Sequence, residues 1–144
     1  MSTIFYTDDD ADDIMIFEQA LKEVGDNNYN LKAVEDGQEL IDSLNNPPPT
    51  PNVIFLDLNM PGKDGRETLK EIKSHDELKR FPVIILSTSS SKEDIDLTYH
   101  YGASLYVNKP RKYSDLKKLL ATCLRIDWKT YERPAKENFF LKAS

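Results

Sequence analysis

A chain of 144 residues is long enough for one domain with its own core and too short for two comfortable ones. Hydrophobic residues at 39% and charged residues at 31% fit a globular protein and exclude a disordered one. The net charge of −6 argues against nucleic acid as a direct partner, because phosphate backbones are bound by an excess of Lys and Arg.

The start, Met1-Ser2-Thr3-Ile4, shows no charged segment followed by an apolar one, so no secretory signal is expected. Thr3 to Thr7 is a compact β-type run that ends in acids. From Asp12 onward, Ile14, Phe17, Leu21 and Val24 recur at steps of three and four, which is one helix face, and Gly25 is expected to stop it. Asn30 to Val34 reads as a second strand, and Leu40, Ile41 and Leu44 as a short second helix. Pro47-Pro48-Pro49-Thr50-Pro51 fits neither helix nor central strand and reads as a stiff surface connection. Val53 to Leu56 and Pro82 to Leu86 are continuous apolar runs, the pattern of strands covered on both faces. Leu69 and Ile72 give a third helix. Ile95, Tyr99 and Ala103 give a fourth, Leu105 to Val107 a fifth strand, and Leu116, Leu119, Leu120 and Cys123 the stripe of a fifth helix. With one cysteine no internal disulfide can form, and Cys123 is expected to be a core thiol. No apolar run approaches the ~20 residues of a membrane span, so the expected compartment is the cytoplasm, away from any membrane.

Five strands alternating with five helices predict an α/β fold, a doubly wound parallel sheet. Such sheets place their working residues beyond the carboxyl ends of the strands. The first strand ends in Asp8-Asp9-Asp10, the third in Asp57-Leu58-Asn59-Met60-Pro61-Gly62, the fourth in Ser87-Thr88 and the fifth in Asn108-Lys109-Pro110. The first and third strands are neighbours in this arrangement, so Asp8, Asp9 and Asp57 should converge. Carboxylates crowded together raise one another's pKa unless a cation compensates them, and oxygen-only ligands point to a hard cation, Mg²⁺. Lys109 and Ser87 opposite such an ion make a phosphoryl-transfer arrangement, with a carboxylate as nucleophile.

The acid pair, Leu56-Asp57-Leu58-Asn59-Met60-Pro61-Gly62-Lys63-Asp64-Gly65, the Ser87 step and Lys109-Pro110 together resemble the response-regulator receiver family over about the first 125 residues. Leu86-Ser87-Thr88-Ser89 and a Trp soon after the last helix resemble, within it, the regulators that pair with bacterial phytochromes. The resemblance implies a flavodoxin-like sheet of order 2-1-3-4-5, a receiver domain over 1–125 and an extension over 126–144. It implies Asp57 as phosphoacceptor, and Asp9, Asp57 and the Asn59 main-chain carbonyl as Mg²⁺ ligands, with Asp8 acting through a metal-bound water. It also implies Ser87 and Tyr106 as switch residues, Lys109 as the phosphoryl contact and a cis Lys109-Pro110 bond. Position 87 is Ser where the family often has Thr, which keeps the hydroxyl. Arg111 stands where many members have an aromatic residue, which puts the usual packing against the last helix in question.

Plainer readings stand beside these. Asp10, Asp12 and Asp13 suit a helix N-terminus. The acid run fails as a calcium loop, having Asp13 where Gly is needed and Gln19 where Glu is needed. His75 and His100 have no partners at metal or catalytic spacing and read as surface residues, and Ser89 to Ser91 as loop and capping residues. Asn59 and Ser89 are expected to flank an attacking water. The aromatic tail of Trp128, Tyr131, Phe139 and Phe140 either folds back on the domain or contacts a partner, and a contact role is preferred. A haloacid-dehalogenase-type phosphatase would need a general acid where Asn59 stands. A flavin carrier would need a phosphate cradle where three acids stand. The expected function is therefore a stand-alone phosphoacceptor switch rather than an enzyme on other substrates. Its expected donor is a sensor histidine kinase, a phytochrome among the candidates, with a homodimer also considered. Output is expected through protein contacts or onward phosphotransfer.

Overall fold

The computed structural model describes residues 2–26, 28–47, 52–60 and 64–141, so most of the proline-rich connection and residues 61–63 of the Asp57 motif lie outside the described residues. The described residues form six strands and five helices: β1 (Ser2–Thr7), α1 (Ala11–Gly25), β2 (Tyr29–Val34), α2 (Gly37–Leu44), β3 (Asn52–Leu56), α3 (Gly65–Ser74), β4 (Val83–Ser87), α4 (Lys92–Tyr101), β5 (Leu105–Asn108), α5 (Tyr113–Leu124) and, after a 3-10 turn at Lys136–Asn138, β6 (Phe140–Leu141). They form one parallel sheet of order β2-β1-β3-β4-β5-β6. The five-strand expectation is met, with one short strand added at the β5 edge.

Successive strand residues point to opposite faces, and both faces are covered. Val53 and Phe55 of β3 pack with Ile84 and Leu86 of β4 against Phe17, Ala20 and Leu21 of α1 and Leu116, Leu119, Leu120 and Cys123 of α5. Ile54, Leu56, Val83 and Ile85 pack on the other side with Leu40, Ile41 and Leu44 of α2 and Leu69 and Ile72 of α3. This explains why β3 and β4 are apolar at every position.

One helix end falls where expected and one does not. Gly25 is the last residue of α1, and the left-handed turn falls on Asp26 at φ 50°. Gly25 is needed for space, since a Cβ there would come within 2.7 Å of the Tyr29 ring. α4 stops at Tyr101 because Gly102 takes φ 101°, so Ala103 lies beyond the helix although it is fully buried. Among the described residues, no helix is long and apolar enough to cross a membrane.

The tail folds back on its own chain. The Trp128 Nε1 donates to the Cys123 carbonyl at 3.1 Å, and the Tyr131 hydroxyl to the Ser104 carbonyl at 3.3 Å. Phe139 is fully buried, with ring centroids 5.0 Å from Tyr99 and 6.3 Å from Tyr106. The Tyr106 N–H donates to the Phe139 carbonyl at 3.1 Å. The preferred contact role is thus corrected for Phe139, whose ring is spent on the core.

Candidate phosphoacceptor site

Parallel pairing of β1 with β3 brings the two acidic strand ends side by side. Thr7 is in register with Leu56, and the Asp57 N–H donates to the Thr7 carbonyl at 3.1 Å. Asp8 and Asp57 are buried and Asp9 is exposed, with one carboxylate oxygen from each within 4.8 Å of the others. Lys109 arrives from the end of β5, where its N–H donates to the Ser87 carbonyl at 2.7 Å. Its ammonium lies 2.7 Å from Asp8 Oδ2, 2.8 Å from Asp13 Oδ2 and 3.8 Å from Asp57 Oδ2.

The two buried acids differ in how well their charge is supported. For Asp8, burial works to raise the carboxyl, but hydrogen bonds from Lys109, Tyr6 and the Asp10 N–H outweigh it and hold the group below the usual range. For Asp57, burial dominates, and the neighbouring Asp8 and Asp9 charges add to it. The carboxyl is pushed up to about 6, despite the N–H of Asn59 on Oδ1 at 3.0 Å and the pull of Lys109. Among the described residues, Asp57 Oδ2 accepts no hydrogen bond. Burial tends to lower the Lys109 ammonium, yet Asp13 and Asp8 hold it above the usual lysine value.

One glycine makes this closeness possible. A Cβ on Gly65 would strike the Asp57 carbonyl and lie 2.6 Å from the Leu58 Cα, so only glycine lets α3 begin against the backbone at the end of β3. The Gly65 N–H donates to the Leu58 carbonyl at 3.1 Å.

Ser87 is fully buried at the end of β4, and its hydroxyl accepts from the Ser89 N–H at 3.1 Å. Tyr106 is also fully buried, its hydroxyl donating to the Ser89 carbonyl at 2.8 Å. Ser89 is more than a loop residue, and its hydroxyl is turned to Asp94 Oδ2 at 2.8 Å rather than left free to flank a water. Arg66 of α3 closes the chain on Asp94 Oδ1 at 2.7 Å, so α3, α4 and β5 are latched through one loop. Asn59 is exposed, and its N–H donates to Asp57 Oδ1. Ser91 caps α4 through the Asp94 N–H, and Asp10 caps α1 through the N–H groups of Asp12 and Asp13. His75, His100 and Arg111 are exposed, and Cys123 is buried with its thiol pushed up to about 12.

Sequence reasoning missed three partners: Asp13 on Lys109, Tyr6 on Asp8 and Arg66 on Asp94. Asp13 was accounted for by its place in the first turn of α1, so nothing prompted a second role. The last pair joins residues 28 apart, with no local signal.

The response regulator receiver domain family matches residues 4–121. The chain belongs to that family. This receiver domain is 47% identical over 72 residues to response regulator Rcp1 of Synechocystis sp., covering 50% of this chain and 49% of Rcp1. The matched stretch thus spans about half the length of that curated relative. The phosphorylated cyanobacterial phytochrome response regulator RcpA has a similar structure, with TM-score 0.78 and 34% identity over 93% of this chain and 99% of its own. The Mn²⁺-bound form of Rcp1 gives TM-score 0.75 and 31% identity over 94% of this chain and all of its own, 100%. The receiver's acidic pocket fits a divalent cation by its own chemistry. Three carboxylates converge, only hard oxygen donors are offered, and the Asp57 charge is poorly compensated without an ion.

Proposed function

We propose that Asp57 of this receiver domain accepts a phosphoryl group, in a Mg²⁺-dependent reaction, from a sensor histidine kinase of a phytochrome system. The observation that carries the reading is the state of Asp57: a buried carboxylate with Oδ2 uncommitted among the described residues, 3.8 Å from the Lys109 ammonium. Oδ2 forms the new bond to phosphorus as the bond from phosphorus to the donor breaks, and the electron pair leaves with the donor. Lys109 is near enough to pair with a phosphoryl oxygen after a small shift, and the Ser87 hydroxyl donates to another. A Mg²⁺ ion, held by Asp9, Asp57 and the Asn59 carbonyl with Asp8 acting through a bound water, would neutralise the charge that gathers on the phosphoryl oxygens.

The Ser87 hydroxyl, once drawn to the phosphoryl group, gives up its bond with the Ser89 N–H. Ser89 is also the acceptor of Tyr106, so α4, β5 and α5 feel the change, which is a local electrostatic event biasing a two-state surface. The chemistry is confined to phosphorylation and dephosphorylation of Asp57 itself, in the cytoplasm. Residues 1–125 are read as the receiver and 126–144 as an extension. The family match ending at residue 121 supports this division, although Phe139 reaches into the receiver core.

The test is intact mass after incubation with acetyl phosphate, with and without Mg²⁺, on the wild type and Asp57→Ala. A single Mg²⁺-dependent adduct absent from Asp57→Ala is expected. No adduct under any condition would overturn the reading.

A further inference from the structure

We propose that Asp13 is a positioning residue: it holds the Lys109 ammonium back from Asp57 and so keeps the acceptor oxygen open to the metal ion and the phosphoryl group. The inference rests on the phosphoacceptor reading above and adds to it a residue outside the acidic triad.

Lys109 is surrounded by three carboxylates at unequal distances. It touches Asp8 and Asp13 at 2.7 and 2.8 Å but stands 3.8 Å from Asp57 Oδ2. Asp8 Oδ2 is shared, since it also accepts from the Tyr6 hydroxyl at 2.6 Å. Asp13 is fixed from below by the helix it belongs to. It sits in the first turn of α1, with its N–H bound to the Asp10 cap, and its carboxylate accepts from the Lys109 ammonium just after β5. The pair therefore ties the opening of α1 to the end of β5, 96 residues apart. A Lys ammonium is a compact charge on a flexible stem, so it goes to whichever acceptors are offered.

Without the Asp13 carboxylate, Lys109 is left with Asp8 and the nearby Asp57 Oδ2. It closes on Asp57, and that oxygen is then neutralised by the protein's own cation. A metal ion or a phosphoryl donor would have to displace it. Asp13 thus acts through Lys109, and its contribution should vanish when Lys109 is absent.

The experiment is a Mg²⁺ titration followed by the amide NMR signals of Asn59 and Lys109, or of the residue replacing it. The proteins are the wild type, Asp13→Asn, Asp12→Asn, Lys109→Met and Asp13→Asn/Lys109→Met. Asp12 is exposed on the same turn, and Asp12→Asn measures the effect of losing a nearby charge. Asp13→Asn is expected to weaken Mg²⁺ binding about fivefold more than Asp12→Asn, the scale of a partly exposed ion pair, and that excess is expected to disappear in the Lys109→Met background. In the acetyl phosphate reaction, raising Mg²⁺ should recover the rate lost in Asp13→Asn, since a competing cation is displaced. Equal effects of Asp13→Asn and Asp12→Asn, or an excess that persists without Lys109, would overturn the inference. If Lys109→Met fails to fold, recovery by excess Mg²⁺ decides alone, and a lost rate that Mg²⁺ cannot recover counts against the proposal. A wild type that shows no Mg²⁺ titration would remove the underlying phosphoacceptor reading, and this inference with it, a result distinct from equal behaviour of the variants.

Discussion

At the carboxyl end of the sheet, Asp57 is buried with its carboxyl pushed up to about 6 by burial and by neighbouring acids. At the β5 edge, Phe139 is fully buried, yet it sits between the rings of Tyr99 and Tyr106 with its backbone carbonyl bonded to the Tyr106 N–H. The first region is left short of partners; among the described residues the one buried side-chain polar atom without a hydrogen bond, the Thr7 hydroxyl, lies directly before Asp8. The second is saturated from within the chain. Unmet charge at a fixed place is what a ligand can answer, whereas a completed apolar contact contributes stability and little chemistry. The two regions meet at Tyr106, which bonds Ser89 on one side and packs on Phe139 and Phe140 on the other.

The difference can be broken from either side. Gly65→Ala should have the largest effect, because the added Cβ meets backbone at Asp57 and Leu58, which cannot move aside as a flexible side chain could. A loss of about 3 kcal/mol in urea unfolding is expected together with loss of the acetyl phosphate adduct. Phe139→Ala should cost nearly as much, about 3 kcal/mol, by leaving a cavity against Tyr99 and Tyr106, while the protein that remains folded still takes up phosphoryl groups. A Phe139→Ala protein that stays folded yet loses the adduct would erase the distinction between the regions.

Asp57→Asn should act in the opposite direction. A carboxyl raised from 3.8 to about 6 in the folded state binds its proton more tightly there than in the unfolded chain. Stability from this group is therefore full below about pH 4 and is lost as pH rises towards 6. Removing the charge should stabilise the metal-free protein at pH 7 by up to about 3 kcal/mol, with little gain at pH 4. Urea unfolding at the two pH values checks this, and a loss of stability at pH 7 would mean that the Asp57 charge is supported after all. Arg66→Met should have the smallest effect, about 1 kcal/mol, since the Arg66 side chain is 29% exposed and its Asp94 partner keeps the hydrogen bond from the Ser89 hydroxyl while its own N–H still donates to the α4 N-cap Ser91. Its sharper signature is expected in the amide NMR signals of Ser89 and Tyr106, which the latch joins.

Much of this was legible in the sequence because parallel sheets expose their logic locally. Apolar runs such as Val53 to Leu56 announce buried strands, and the residues that end them fall at the carboxyl edge by construction. Asp8, Asp9, Asp57, Ser87 and Lys109 could be named on that ground. Asp13 could not, since a carboxylate in the first turn of a helix already has a sufficient reason to be there. The α4 boundary was misread because Ala103 continues the helical spacing after Gly102 has turned the chain. β6 was invisible for a different cause: two residues carry no periodicity, and their partner strand lies more than thirty positions earlier.

The short β6 strand has a consequence for solubility. The opposite edge of the sheet, β2, carries Asn30 and Lys32 at exposed positions, the sort of polar and charged side chains that discourage edge-to-edge association. β5 has no such guard along Leu105, Tyr106 and Val107; its outer edge is paired by the returning tail, Tyr106 with Phe140 and Val107 with Leu141. A fragment cut after residue 125 would keep each of the proposed site residues and still leave the β5 edge without its strand partner and the Tyr106 ring without Phe139 and Phe140. Such a fragment should aggregate at concentrations the full chain tolerates, so the tail serves the whole molecule as its protection against self-association.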